Sequence, residues 1–95
     1  MYNIVMQVIW DPKKAEANFQ KHKIHFSDAE SVLFDSMALT IEDQIVAGEQ
    51  RFVSVGSDAF GRVLVVVYTY LGDTYRLISA RQAKSRERKY YEKGL

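Results

Sequence analysis

The stretch Arg62–Ala80, RVLVVVYTYLGDTYRLISA, decides the fold. Arg62–Leu71 is expected to be a strand, since after Arg62 every residue is β-branched, aromatic or leucine. Gly72-Asp73 is a two-residue hairpin signal, and Thr74–Ala80 returns as the partner strand. A two-residue loop fixes the register. Leu71 is expected opposite Thr74, Tyr70 opposite Tyr75, Thr69 opposite Arg76 and Tyr68 opposite Leu77; carried further, Val66 meets Ser79. Side chains alternate between faces. Tyr68, Tyr70, Tyr75, Leu77, Ser79 and Arg81 are then expected on one face, and Val65, Val67, Thr69, Arg76 and Ile78 on the other. Val63–Val67 is apolar on both faces, so this strand should be central and covered on both sides.

Outward from that hairpin, Arg51–Ser57 and Met37–Asp43 have β-branched or alternating patterns, and Asp58-Ala59-Phe60-Gly61 is a turn. Ser85 is placed to cap a closing helix from Arg86 to about Lys93. Toward the N-terminus, Ile4–Trp10 (IVMQVIW) predicts a first strand. Asp11-Pro12 gives a capping carboxylate followed by proline at the first helical position. Ala15, Phe19 and His22 then keep helical spacing, predicting a helix from Lys13 to about His22. Ser27 and Glu30 have capping-box spacing for a second helix, with Ala29, Val32, Leu33 and Phe34 as its apolar face. The expected order is β-α-α-β-β-β-β-α, an antiparallel sheet in an α+β domain.

The chain has 95 residues, 47% hydrophobic and 26% charged, which suits one globular domain over residues 1–95. No repeat or linker interrupts it. Cysteine is absent, excluding disulfides, thiolate zinc sites and cysteine nucleophiles. No apolar run reaches the roughly 20 residues of a membrane span, and Met1–Trp10 lacks the basic start of a signal peptide. The expected setting is the reducing cytoplasm, with no membrane. The net charge of +1 hides a polarity. Residues 1–50 carry four lysines against eight acids, and residues 51–95 carry nine basic residues, including all six arginines, against four acids. The arginine-rich half predicts an anionic partner, because the planar guanidinium matches two phosphate oxygens at once. Three short helices also leave part of a double-sided apolar strand for a partner protein to cover.

Among residues able to carry chemistry, His22 and His25 are three apart with no third ligand placed by spacing, so no metal is expected. Gly56, Gly61 and Gly72 each fit a turn and none belongs to a phosphate loop. What remains is basic and aromatic: Trp10, Lys21, His22, Arg51, Tyr68, Arg76, Arg81 and Arg86. Histidine exchanges protons near neutral pH, and arginines beside it suit phosphoryl chemistry on a nucleic acid. Each also has a structural reading. His22 suits a helix C-terminus, Trp10 a core, and Arg76 an ion pair with an acid on a neighbouring strand.

Trp10-Asp11, Lys14, Asn18, Lys21-His22, Ile24, Phe26, Asp28-Ala29 and Phe34-Asp35 form one block. Gly61-Arg62, Val65–Thr69, Gly72-Asp73, Arg76, Ile78-Ser79-Ala80-Arg81, Ala83, Arg86-Glu87-Arg88 and Tyr91-Glu92 form a second. Together they resemble the BrnT toxins of type II toxin–antitoxin systems, from about Ile9 to Glu92. The resemblance implies a RelE-like fold and a metal-independent endoribonuclease without cofactor. In that chemistry the ribose 2′-hydroxyl attacks the adjacent phosphate, leaving a 2′,3′-cyclic phosphate. It implies proton transfer by His22 with Lys21 beside it. Arg51, Arg76 and Arg81 would hold the phosphate, Tyr68 would donate or stack, and Trp10 and Arg86 would contact RNA. It further implies a BrnA-like ribbon-helix-helix antitoxin whose dimer carries two toxins, with operator DNA bound only through the antitoxin. Two departures stand out. Lys23 occupies a place where the family usually has glycine, and the N-terminus is longer than usual, with Met6 as an alternative start. The rival class is a non-catalytic module for nucleic-acid binding or protein interaction.

Overall fold

The computed structural model describes residues 7–93. The elements run β1 (Gln7–Ile9), α1 (Pro12–His22), α2 (Phe26–Ala29), a 3₁₀ turn (Glu30–Phe34), β2 (Leu39–Val46), β3 (Glu49–Ser57), β4 (Val63–Leu71), β5 (Thr74–Gln82) and α3 (Ser85–Lys93). Residues 4–6 of the expected first strand lie outside the described residues. The sheet order is β1-β5-β4-β3-β2, so β4 is central as the sequence predicts. The sheet is mixed and not antiparallel, because β1 pairs with β5 in parallel. Two helices, the 3₁₀ turn and three strands separate β1 from that partner, so no local turn signal announces the pairing.

The β4–β5 hairpin follows the expected register from Leu71↔Thr74 through Tyr68↔Leu77. Gly72 has φ 62, the positive value that a type II′ turn needs at its first loop position. Beyond Leu77 the register shifts, with Val67 opposite Ser79 and Val66 opposite Ala80. Ile78 is the extra residue of a β-bulge. The bulge corrects the expected faces. Ala80 joins Tyr68 and Leu77 on the helix-covered side, and Ser79 and Arg81 move to the other. Between β2 and β3 the expected seven-residue loop is instead a tight turn at Ala47 (φ 51) and Gly48 (φ 80).

The helix starts obey capping chemistry where the caps are acidic. Asp11 Oδ1 accepts from Lys13 N–H at 2.9 Å and opens α1. Lys23 ends it at φ 60, ψ 29, the left-handed position where glycine is free of strain. The Ser27–Glu30 capping box does not form, since α2 already begins at Phe26 with His25 before it. Ser85 is likewise inside α3, and Glu87 Oε1 instead accepts from Lys84 N–H at 2.8 Å.

One face of the sheet meets α1, α2 and the 3₁₀ turn. Ile24, Phe26, Ala29 and Val32 pack there on Leu64, Val66, Tyr68, Leu77 and Ala80. Asn18 is buried in this layer. Its side chain pairs with both the N–H and the carbonyl of Ala80, at 3.0 and 2.8 Å, and also donates to the Ile24 carbonyl at 3.0 Å. β1 covers only Thr74–Arg76 of the β5 edge, so Asn18 satisfies strand groups that would otherwise be buried and unpaired. Among the described residues the opposite face is crossed only by α3, near the Gln82 end. Tyr91 on α3 donates to Asp35 Oδ2 at 2.7 Å, and Ser57 N–H donates to the same oxygen at 2.8 Å. Gly56 permits this approach, since a Cβ there would lie 3.0 Å from Asp35 Oδ2 and from the Ala38 Cβ.

Candidate functional site on the open sheet face

The register places Arg51, Thr69 and Arg76 in one row across β3, β4 and β5. Glu49 lies two residues before Arg51 on the same face, and Arg76 is ion-paired with it across the width of β4. The pair is about one-third exposed on each side, where such contacts contribute about 1 kcal/mol or less. Two donors in this row are buried and have no hydrogen-bond partner among the described residues, Arg51 Nε and Thr69 Oγ1. Thr69 is 1% exposed. A buried unpaired polar group costs roughly 1–3 kcal/mol, so the row concentrates unfavourable terms in a fold that satisfies its polar groups elsewhere.

Next to the row lies a groove of about 490 Å³, floored by Val53, Val55, Val65 and Val67 and flanked by Leu39 and Ile41. Its far end is Arg81, whose guanidinium is gripped by Glu87 through two bonds of 2.8 Å. Hydrogen bonding to Arg81 takes the Glu87 carboxyl down to about 2, against an opposing effect of burial. The same contact raises the already high pKa of Arg81. Arg81 pairs with Val65, four residues from Thr69 along β4, which is about 14 Å at strand rise. Arg51 and Arg76 are two strand spacings apart, about 10 Å between backbones, and their long side chains can converge above Thr69. The structure therefore unites Arg51 and Arg76 and sets Arg81 apart.

The other predicted residues lie elsewhere. Lys21 is exposed and His22 half-buried in the last turn of α1. His22 follows Asn18 by one turn on the same helix face, at the sheet edge where Asn18 holds Ala80. Among the described residues no hydrogen bond or ion pair joins His22 to the three arginines. Tyr68 is on the helix-covered face, 6% exposed, with its hydroxyl 3.0 Å from Ser54 Oγ and its ring stacked with Phe52. Trp10 packs edge-on against Phe26. Arg86 is exposed at the start of α3. Among the described residues no group of three or more His, Asp or Glu gathers as a metal site. Sequence reasoning missed Glu49 and named Thr69 and Asn18 without giving them a place at the site. Only the hairpin register, read across β3, could have placed Glu49 near Arg76.

The family model described as "Ribonuclease toxin, BrnT, of type II toxin-antitoxin system" matches residues 10–87. The chain belongs to the BrnT family. It is also similar to the crystal structure of the Brucella abortus ribonuclease toxin BrnT, with 25% identity and a TM-score of 0.69, covering 85% of this chain and 100% of that one. Among curated proteins no sequence matches. Membership in BrnT makes the chain a ribonuclease toxin with an antitoxin partner and an RNA substrate. The match takes in Trp10 through Glu87, hence every site residue named above.

Proposed function

We propose that this BrnT-family chain cleaves RNA without a metal ion, on the open face of its sheet. RNA carries its own nucleophile, the 2′-hydroxyl, so the protein needs proton transfer and cations at the developing phosphate charge. The observation that carries this reading is the row of Arg51, Thr69 and Arg76 beside an apolar groove. Arg51 and Arg76 hold the phosphate. His22 and Lys21 lie at the β5 edge by Ala80, away from this row, and contact the RNA there. Arg81 and Arg86 extend the cationic track past the groove, with Arg81 oriented by Glu87. Tyr68 and Trp10 act through packing, the roles their burial and ring contacts favour. Incubating purified protein with RNA in excess chelator tests the reading. Products ending in a 2′,3′-cyclic phosphate are expected, and intact RNA would refute it.

In the same reading, expression without antitoxin stops bacterial growth. A BrnA-like ribbon-helix-helix dimer carries two toxins and covers the groove. Ile41, 66% exposed on the edge strand β2, together with the valine floor, forms the apolar surface such a partner needs. Co-expression with the neighbouring gene should yield a complex; a free, soluble and harmless chain would refute the partner assignment.

A further inference from the structure

The Arg51–Thr69–Arg76 row contains a contradiction. The fold satisfies buried polar groups with care, as at Asn18 and Asp35, yet it leaves Arg51 Nε and Thr69 Oγ1 buried and unpartnered within one row. Valine has nearly the shape of threonine and would fill the Thr69 position without a hydroxyl to satisfy. Above the row runs the Arg76–Glu49 pair, from the strand on one side of β4 to the strand on the other. A carboxylate and a phosphodiester present similar oxygens to a guanidinium.

We propose that Arg51, Thr69 and Arg76 form a phosphodiester-binding row, closed in the free protein by Glu49, whose carboxylate occupies the place of a phosphate oxygen of RNA. This rests on the ribonuclease reading for the identity of the ligand. When the phosphate enters, Glu49 is displaced to solvent, Arg76 exchanges one anion for another, and the two orphaned donors gain an acceptor. The exposed Glu49–Arg76 contact is weak enough to yield, and the donors beneath it have no partner among the described residues. Thr69 is a positioning residue whose hydroxyl selects an oxygen-rich anion. Glu49 sets how readily the row opens.

The test uses the full chain and a 2′-O-methyl oligoribonucleotide of mixed sequence, which binds but offers no 2′-hydroxyl for attack. Titration at about 0.15 M salt should shift the Arg51 and Arg76 Nε–H signals in a nitrogen–proton NMR spectrum. Glu49→Gln should bind about fivefold tighter. Glu16→Gln, the same charge change on the exposed surface of α1, should stay within about twofold. Thr69→Val should bind about tenfold weaker while melting at the same or a higher temperature, a combination that a structural threonine would not give. Wild-type affinity in Thr69→Val, or equal gains in Glu49→Gln and Glu16→Gln, would overturn the proposal. So would an acidic peptide that moves the two arginine signals where the oligonucleotide does not. Binding of this kind without RNA cleavage would keep the row and remove the ribonuclease reading. Cleavage unchanged in both variants would keep that reading and remove the row.

Discussion

The two faces of the sheet are made by the same strands and differ in how they treat polar atoms. On the helix-covered face each polar group meets a partner: Asn18 with Ala80 and Ile24, Tyr68 with Ser54, Ser54 with Thr40 at 2.7 Å. On the open face Arg76 is held by Glu49 from across β4 and Arg81 by Glu87 from α3, and among the described residues two donors have no partner. The difference shows where stability is stored and where it has been given up. Unfavourable polar burial concentrated at one row, beside a groove, is the mark of a site shaped for something outside the chain.

The contrast breaks first at the cores. Phe26→Ala should lose about 3–5 kcal/mol in chemical denaturation, because Phe26 is 2% exposed in the helix layer. Val67→Ala, on the half-open floor of the groove, should lose about 1 kcal/mol. Equal losses would erase the distinction between the faces. Polar groups sharpen it next. Asn18→Ala strands the Ala80 N–H and carbonyl and should cost about 3 kcal/mol, whereas Thr69→Val should cost nothing.

Acid reaches the α3 attachment next. The Glu87 carboxyl lies at about 2 in the folded protein, below its ordinary 4.5, chiefly through its hydrogen bonds with Arg81. A depressed folded value means the stabilisation is complete above about 4.5 and is lost as pH falls toward 2. Asp35 acts in the same direction. Burial raises its pKa, but the hydrogen bonds from Ser57, Tyr91 and Met37 outweigh it and leave the value lowered. Melting temperature should fall through this window in the wild type and less steeply in Glu87→Gln. The smallest effect is at the end of α1. Lys23→Gly removes the left-handed strain at φ 60 and should gain up to about 1 kcal/mol, less whatever the contact of Lys23 Nζ with the Phe19 ring contributes.

Most of the fold is legible in the sequence because its signals are local. Gly72-Asp73 dictates four residues of pairing on each side of a hairpin, and Asp11-Pro12 starts a helix. The bulge at Ile78 escapes because Leu77 and Ile78 are both apolar, so the strand pattern reads equally well in either phase. Its trace is the buried Ala80 between Ser79 and Arg81, where the alternation has slipped by one. The parallel β1–β5 pairing escapes because nothing local encodes a contact across most of the chain. At the site, residue types were legible and company was not. The hairpin register already set Thr69 beside Arg76, but Arg51 and Glu49 join them only once three strands are aligned. The Asn18–Ala80 contact, which ties α1 to the β5 edge, is a tie that no motif spacing reveals.

The most direct test of the central claim, that the open face is where RNA is bound and cut, is the cleavage rate of purified wild type and Arg51→Ala on the same RNA in excess chelator, with melting temperature measured alongside. The account predicts cyclic-phosphate products from the wild type and a loss of about 100-fold or more in a folded Arg51→Ala protein. Full activity in folded Arg51→Ala would contradict it.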